Sequence, residues 1–329
     1  MTGLSNQDDE THTHTVLTKG TMVSHYRIVD KIGAGGMGEV YVAQDTETGR
    51  EVGLTFLPEV LTSEQAVADR FTRKAQAAAK LKHPNVAAVY EAGEFKGRPY
   101  FSSEFVQGKT IDELIEGPTL SVSRVIDLAI QMAEALQAAH AGGVVHGHLK
   151  STSIYIDKAD RVKIADFGLA VLEGCEEMSR QGQLITNVNC LSPEQVDANP
   201  PDERSDLFSL GVILYAMFTG TVPFPGENRL AIFRSILMDD PRPPSKHRHE
   251  LPEELDSAVL GLLEKDPAER TQSAADALAD LKALRVTERA HRDMPKGRAW
   301  WVKTLLLLTV LIVLSVAGYV IISQWMAGQ

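Results

Sequence analysis

Residues 144–156 read Val-Val-His-Gly-His-Leu-Lys-Ser-Thr-Ser-Ile-Tyr-Ile, and the chain runs on through a polar turn to Val162-Lys163-Ile164-Ala165-Asp166-Phe167-Gly168. Ser153–Ile156 and Val162–Ile164 carry the branched and aromatic residues that fit a pleated surface. Asp157–Asp160 between them has the side chains of a tight turn. The spacing predicts a small hairpin with a polar loop ahead of it and Asp-Phe-Gly behind it.

Outward from this stretch, the chain of 329 residues is long enough for one two-lobed domain and appendages. Its net charge of −11 argues against nucleic acid as a partner. Cys175 and Cys190 have no metal-ligand spacing, and two such thiols suggest a reducing compartment. Residues 1–22 are polar and without periodicity, as in a disordered tail, and carry no signal-peptide pattern. At the far end Thr304–Ile322 is free of charge, and roughly 20 apolar residues span a bilayer. A single membrane helix is expected over 302–322, flanked by Trp300, Trp301 and Trp325. The segment 286–301 before it is basic, and the tail 323–329 has no charged side chain. That asymmetry places the main domain in the cytoplasm and the tail outside a cell membrane.

Toward the N-terminus, a strand over Tyr26–Ile32 enters Gly33-Ala34-Gly35-Gly36-Met37-Gly38-Glu39-Val40. A G-x-G-x-x-G alone is a weak signal. Here a second strand, Glu39–Gln44, follows it where a dinucleotide-binding unit would have a helix. Glu51–Leu57 reads as a third strand, Ala66–Leu81 as a helix stopped by Pro84, and Ala87–Tyr90 and Tyr100–Phe105 as two further strands. Ser123–Ala141 is amphipathic and ends at Gly142-Gly143. Toward the C-terminus, the run from Asp206 to Met217 is almost wholly apolar, as in a helix buried on all sides. A last domain helix, capped by Thr271 or Ser273, is expected to end near Leu284, closing a domain over 23–285 whose smaller lobe ends near 105.

In order and spacing these motifs resemble the protein kinases, and most closely the bacterial membrane-anchored serine/threonine kinases. The resemblance covers about residues 26–284. It implies a two-lobed α+β fold, a small β-rich lobe over a helical one, here with one C-terminal transmembrane helix. It also implies ATP and magnesium as cofactors. Ile32, Gly33, Gly35, Gly38 and Val40 match the glycine-rich loop over the phosphates. Backbone groups of Glu104 and Val106 match the hinge facing adenine, Ser103 the small residue at the back pocket, and Tyr155 the floor. Asp166 matches a metal ligand. Glu194 of Ser192-Pro193-Glu194 pairs in the family with the position of Arg270, and Asp206 bonds the catalytic-loop backbone.

Other family residues are replaced. The loop pattern His-Arg-Asp-Leu-Lys-x-x-Asn is met by His146, Gly147, His148, Leu149, Lys150 and Ser153, without the catalytic Asp or the metal-binding Asn. Thr55 stands where a strand lysine holds the α- and β-phosphates, and Lys74 stands where a helix glutamate pairs with that lysine. Lys74 reads either as a cation turned to the phosphates or as a solvated helix lysine. Asn187 stands where a threonine bonds the catalytic residues. Three separate steps of phosphoryl transfer lose a residue at once, so the resemblance implies a pseudokinase that acts by binding a protein partner, such as an active kinase. A weakly active kinase with His148 as base, and a non-catalytic ATP sensor, are the alternatives. For ATP the glycine loop, hinge and Asp166 favour binding, whereas Gly53 and Tyr155 alter the pocket; the balance gives weak or absent binding.

Overall fold

Alternation along the first strands decides how the smaller lobe is built. The computed structural model describes residues 17–35, 38–167 and 188–293. It contains β1 (Met22–Val23), β2 (Tyr26–Gly35), β3 (Gly38–Asp45), β4 (Glu51–Phe56), β5 (Val89–Phe95) and β6 (Arg98–Glu104). These form one antiparallel sheet in the order β1-β2-β3-β4-β6-β5. Tyr26, Ile28, Tyr41, Ala43, Val52, Leu54, Phe56 and Tyr100 point to one face and join Leu17 and Val23 in a buried cluster. Each large apolar side chain so buried contributes about 1.5–3 kcal/mol. Tyr41 and Phe56 meet edge to face, with ring centroids 5.8 Å apart.

The opposite face follows from the register. Thr55 lies between Val40 and Phe101, and Gly53 between Val42 and Ser103. Opposed residues of an antiparallel pair share a face, so these six line the side away from the aromatic cluster. After α1 (Glu59–Thr62), α2 (Gln65–Ala78) covers part of that side through Phe71, whose ring lies 5.5 Å from Phe101. The helix stops short of the expected Leu81. Its last turn tightens, with Lys80 N–H donating to Ala77 and Leu81 N–H to Ala78.

The following segment ties the lobes together. The Asn85 side chain donates to the Gln131 side chain and the Val162 carbonyl, and Ala87 N–H donates to Ile164. Beyond β6, β7 (Gly108–Thr110) pairs with β8 (Ile154–Asp157), and β8 with β9 (Val162–Ile164). The opening hairpin thus gains a third strand, which the sequence reading did not include. A Cβ on Gly108 would collide with the Ile156 carbonyl, so glycine is required for this pairing.

The larger lobe is helical. α3 (Ile111–Ile115) starts at a capping box in which Thr110 and Glu113 satisfy each other's backbone N–H. α4 (Val122–Ala141) is capped by Ser121 and ends at Gly142 and Gly143, the latter at φ +70°. α5 (Pro193–Val196) precedes α6 (Glu203–Thr219), which is buried from Ser205 to Phe218 and stops at left-handed Gly220. α7 (Arg229–Met238) and α8 (Glu253–Leu262) follow. A Cβ at Gly211 would lie 2.8 Å from that of Leu262, so glycine lets α6 and α8 approach.

The chain divides into two compact units, Met1–Lys282 and Ala283–Gln329. α9 (Ala274–Asp293), capped by Ser273, closes the first and supplies the described part of the second. It continues well past Leu284, because no glycine or proline interrupts the sequence before Pro295. Among the described residues no helix is long and apolar enough to cross a membrane. The run 302–322 lies outside them, as do the N-terminal tail to residue 16, Gly36, Gly168, Cys175 and Asn187.

Candidate functional site

The catalytic-loop stretch is held from below by one carboxylate. Asp206, fully buried on α6, accepts from His146 N–H at 2.8 Å and from Gly147 N–H at 2.7 Å, and its Oδ2 lies 2.9 Å from His140 Nε2. Gly147 has φ +70°, a conformation that costs a side-chain-bearing residue roughly 1–2 kcal/mol. Its carbonyl accepts from the Gln195 side chain at 2.6 Å, so the loop is gripped on both its donor and its acceptor sides.

His146 is wholly buried against Phe167, with ring centroids 4.6 Å apart. Its Nδ1 accepts from His148 N–H, which assigns the ring proton to Nε2, 3.0 Å from the Ala165 carbonyl. Burial holds its pKa below the usual imidazole value, against the pull of Asp206. His148 follows, half-buried, one residue from the anchored peptide.

Ser153 is also fully buried. Its hydroxyl donates to the Lys150 carbonyl at 2.9 Å and accepts from Lys150 N–H at 3.3 Å, closing the turn Ser151–Ser153. Ser151 Oγ donates to Asp112 Oδ1 at 2.7 Å. The Lys150 side chain is mostly buried, and burial lowers its pKa while the nearby Asp166 carboxylate opposes that shift. Asp166 has φ +66°, a strained setting for a residue with a side chain. Its charge also reaches Tyr155, whose hydroxyl is raised to about 12, by burial first. Cys190 is pushed up to about 12 by its burial, although Ser151 N–H and Lys150 lie close. The Asp166 charge thus acts on Lys150, on Tyr155 and on His146.

On the smaller lobe, β2 and β3 carry the glycine hairpin, with Gly35 opposite Gly38. A side chain at Gly38, φ +114°, would strike the Phe56 carbonyl. Glu39 beside it is clasped by Lys31 and by Arg98, the latter at 2.7 Å. Burial alone would raise the Glu39 pKa, but these two cations hold it below the carboxylate range. Ile32 is exposed. Thr55 is only 3% exposed. Gly53 leaves room before Ser103, whose Oγ would lie 3.3 Å from an added Cβ. Lys74 is half-buried on α2. At the hinge, Glu104 N–H donates to Ala88, and the Glu104 carboxylate accepts from Lys163 at 2.9 Å. Glu104, Val106 and Lys163 line a cavity of about 440 Å³ there.

These features match a known family. The protein kinase domain matches residues 26–281, most of the chain. The chain belongs to the protein kinase family. It is 36% identical over 279 residues to serine/threonine-protein kinase PknB of Mycolicibacterium smegmatis, covering 82% of this chain and 44% of that protein. To PknB of Mycobacterium tuberculosis it is 34% identical over 287 residues, covering 85% and 45%. The chain thus spans less than half the length of these bacterial serine/threonine kinases. The crystal structure of the Mycobacterium tuberculosis PknI kinase domain shares the fold, with a TM-score of 0.64 at 24% identity over 82% of this chain and 99% of that one.

In this protein kinase domain the remaining motif residues are also placed. Arg270, 1% exposed, meets both Glu194 oxygens at 2.9 and 3.0 Å and donates to the Arg204, Glu264 and Lys265 carbonyls. Burial would raise the Glu194 pKa, but Arg270 and the Ser205 hydroxyl hold it down at about 2. Kinases of this family typically use ATP and magnesium. The metal is held there by the Asp of Asp-Phe-Gly and a loop amide. Here Asp166 is present, and the Ser153 hydroxyl at the amide position is hydrogen-bonded to the Lys150 carbonyl and N–H inside its own loop. Gln195 and His140 were missing from the sequence reading. Gln195 was legible as the fourth residue of a Ser-x-x-Gln capping box, since its amide oxygen accepts from Ser192 N–H. Nothing local marks His140, which meets Asp206 across 66 residues.

Proposed function

We propose that this chain is a membrane-tethered pseudokinase that works by binding, as scaffold or allosteric partner of an active kinase. The observation that carries the reading is Thr55, buried in the middle of β4 with Val40 and Phe101 beside it. A hydroxyl there supplies no positive charge, and phosphoryl transfer depends chiefly on positioning and charge stabilisation. His148 in place of the catalytic carboxylate and the engaged Ser153 support the same reading. The apolar run 302–322, basic only on its N-terminal side, supports the tether with the kinase-like domain in the cytoplasm.

The test is transfer of labelled phosphate from ATP by the full chain, beside a variant carrying Thr55→Lys, His148→Asp and Ser153→Asn. The parent is expected to label neither itself nor a generic protein substrate. Robust self-labelling by the parent, abolished in Asp166→Ala, overturns the proposal in favour of an active kinase.

A further inference from the structure

Helix α2 carries positive charge on a side that the fold leaves open. Residues 70–82 contain Arg70, Arg73, Lys74, Lys80 and Lys82 and no acidic residue, in a chain whose net charge is −11. At about 100° per residue, Phe71, Ala75 and Ala78 fall together on the face that α2 buries, and Arg70, Arg73 and Lys74 fall on the opposite one. Arg70, Arg73, Lys80 and Lys82 are exposed, and Lys74 is half-buried. Phe71 fixes the orientation of the helix, its ring centroid 5.5 Å from that of Phe101. Lys80 and Lys82 follow the last turn, where cations favour the helix dipole. Arg70 and Arg73 sit mid-helix, where the dipole gives them no advantage, and one turn apart they repel each other. The acidic residue best placed to pair with Arg73 is Asp69, four positions before it. Asp69 Oδ1 instead accepts from the Gln65 side chain at 2.8 Å. Among the described residues neither arginine has an ion-pair partner. Elsewhere Arg98, Arg124, Arg161, Arg204 and Arg270 each meet a carboxylate at 2.7–2.9 Å.

The length of this stripe selects its occupant. From Arg70 to Lys80 it extends over about 15 Å at the helical rise, and a single phosphate would engage only one end of it. Several carboxylates along one segment match the whole length, and a guanidinium takes a carboxylate through two parallel hydrogen bonds. The negative charge of the rest of the chain opposes a nucleic acid, whose own field reaches well beyond one helix. We propose that the outer face of α2 is a docking surface for an acidic segment of a partner protein, with Arg70 and Arg73 as its principal contacts. The inference rests on the partner-binding reading above and deepens it, because it names the surface and the chemistry of the partner.

Fluorescence anisotropy on the full chain in detergent tests this with a labelled peptide of alternating glutamate and alanine, beside its glutamine counterpart. The acidic peptide is expected to bind, more weakly as salt is raised, and the glutamine peptide not to bind. Arg70→Glu with Arg73→Glu should weaken binding about tenfold or more, because attraction becomes repulsion. Arg234→Glu with Lys246→Glu makes the same change of charge at exposed positions of the larger lobe and should bind like the parent. Arg70→Gln with Arg73→Gln removes the charge without reversing it and should bind several-fold more weakly. Glutamine suits a helix about as well as arginine, so this pair keeps the test decisive if circular dichroism shows the glutamate pair misfolded. No binding of the acidic peptide, equal losses in the two glutamate pairs, or tighter binding of a singly phosphorylated peptide or a single-stranded oligonucleotide each overturns the inference. None of these measurements reads phosphate transfer, so the pseudokinase reading stands or falls by its own assay.

Discussion

Beneath the catalytic loop, charges are matched to donors; above it, charge has been withdrawn. Asp206 has two backbone N–H groups and His140, and Glu194 has the guanidinium of Arg270 and the hydroxyl of Ser205. In the cleft, Thr55 stands at the strand cation, His148 at the carboxylate and Ser153 at the amide. The lower region holds the loop's shape, and the upper one would touch phosphate. The difference teaches that the shape of a kinase loop and its chemistry rest on separate residues. The first set is kept here, while residues of the second are replaced.

The strongest way to break the comparison is at its base. Arg270→Met leaves Glu194 as a buried charge without its partner and three carbonyls without a donor. A loss of about 3–5 kcal/mol is expected, read as a lower urea midpoint. The pH dependence has a definite sign. Glu194 has a depressed pKa, so its contribution is present above about 4.5 and is lost as pH falls toward about 2. Acid should therefore destabilise the parent more than Glu194→Gln, and parallel acid profiles would refute the pairing as a source of stability.

Asp206→Asn keeps the shape but weakens bonds from His146, Gly147 and His140. About 2–3 kcal/mol is expected, since hydrogen bonds to a charged group are worth about 1.5–3. Hydrogen exchange at the 146 and 147 amides should quicken with it. Unchanged exchange would show that the loop is held by something else.

Gly147→Ala sharpens the comparison, because it tests the backbone alone. At φ +70° a Cβ costs roughly 1–2 kcal/mol, measured by the same denaturation. A neutral result would mean that the loop relaxes to another conformation.

The smallest effect lies beside Arg270, which donates to the Lys265 carbonyl. Lys265 Nζ sits 3.4 Å from the centre of the Phe224 ring, and burial lowers its pKa to about 8. Among the described residues that nitrogen has no hydrogen-bond partner. The unfolded chain binds more protons than the folded one between pH 8 and the ordinary lysine value of 10.5, so this residue's penalty fades as pH rises through that window. Lys265→Met should be more stable than the parent by about 1 kcal/mol near neutral pH, because solvent screening and the ring face offset part of the cost. The gap should close by pH 10 or so. A gap independent of pH would place its origin in packing.

Much of the frame could be read from the sequence because it depends on local rules. The glycine hairpin, the glycine stop after α4, the all-apolar α6 and the capping residues are each set by a few neighbours in the chain. The apolar run 302–322 is likewise a property of composition, and it remains a sequence-based expectation. The third strand Gly108–Thr110 is too short to carry a period, and α3 is little more than one turn. α9 runs past the expected end near Leu284 because its sequence contains no breaker before Pro295.

What the sequence determined by itself was which chemical groups are available: a threonine for a lysine, a histidine and a serine for an aspartate and an asparagine, and an Asp-Phe-Gly kept whole. Only the tertiary structure decided where those groups point. Ser153 has the same hydroxyl whether it faces a metal or the Lys150 carbonyl, and the choice belongs to the rotamer that its loop permits. Asp206 reaches His146 and Gly147 across about 60 residues, and Gln195 reaches Gly147 across 48. Such contacts arise from packing helices against a loop, which no local pattern encodes, because each depends on the position of an element folded elsewhere in the chain.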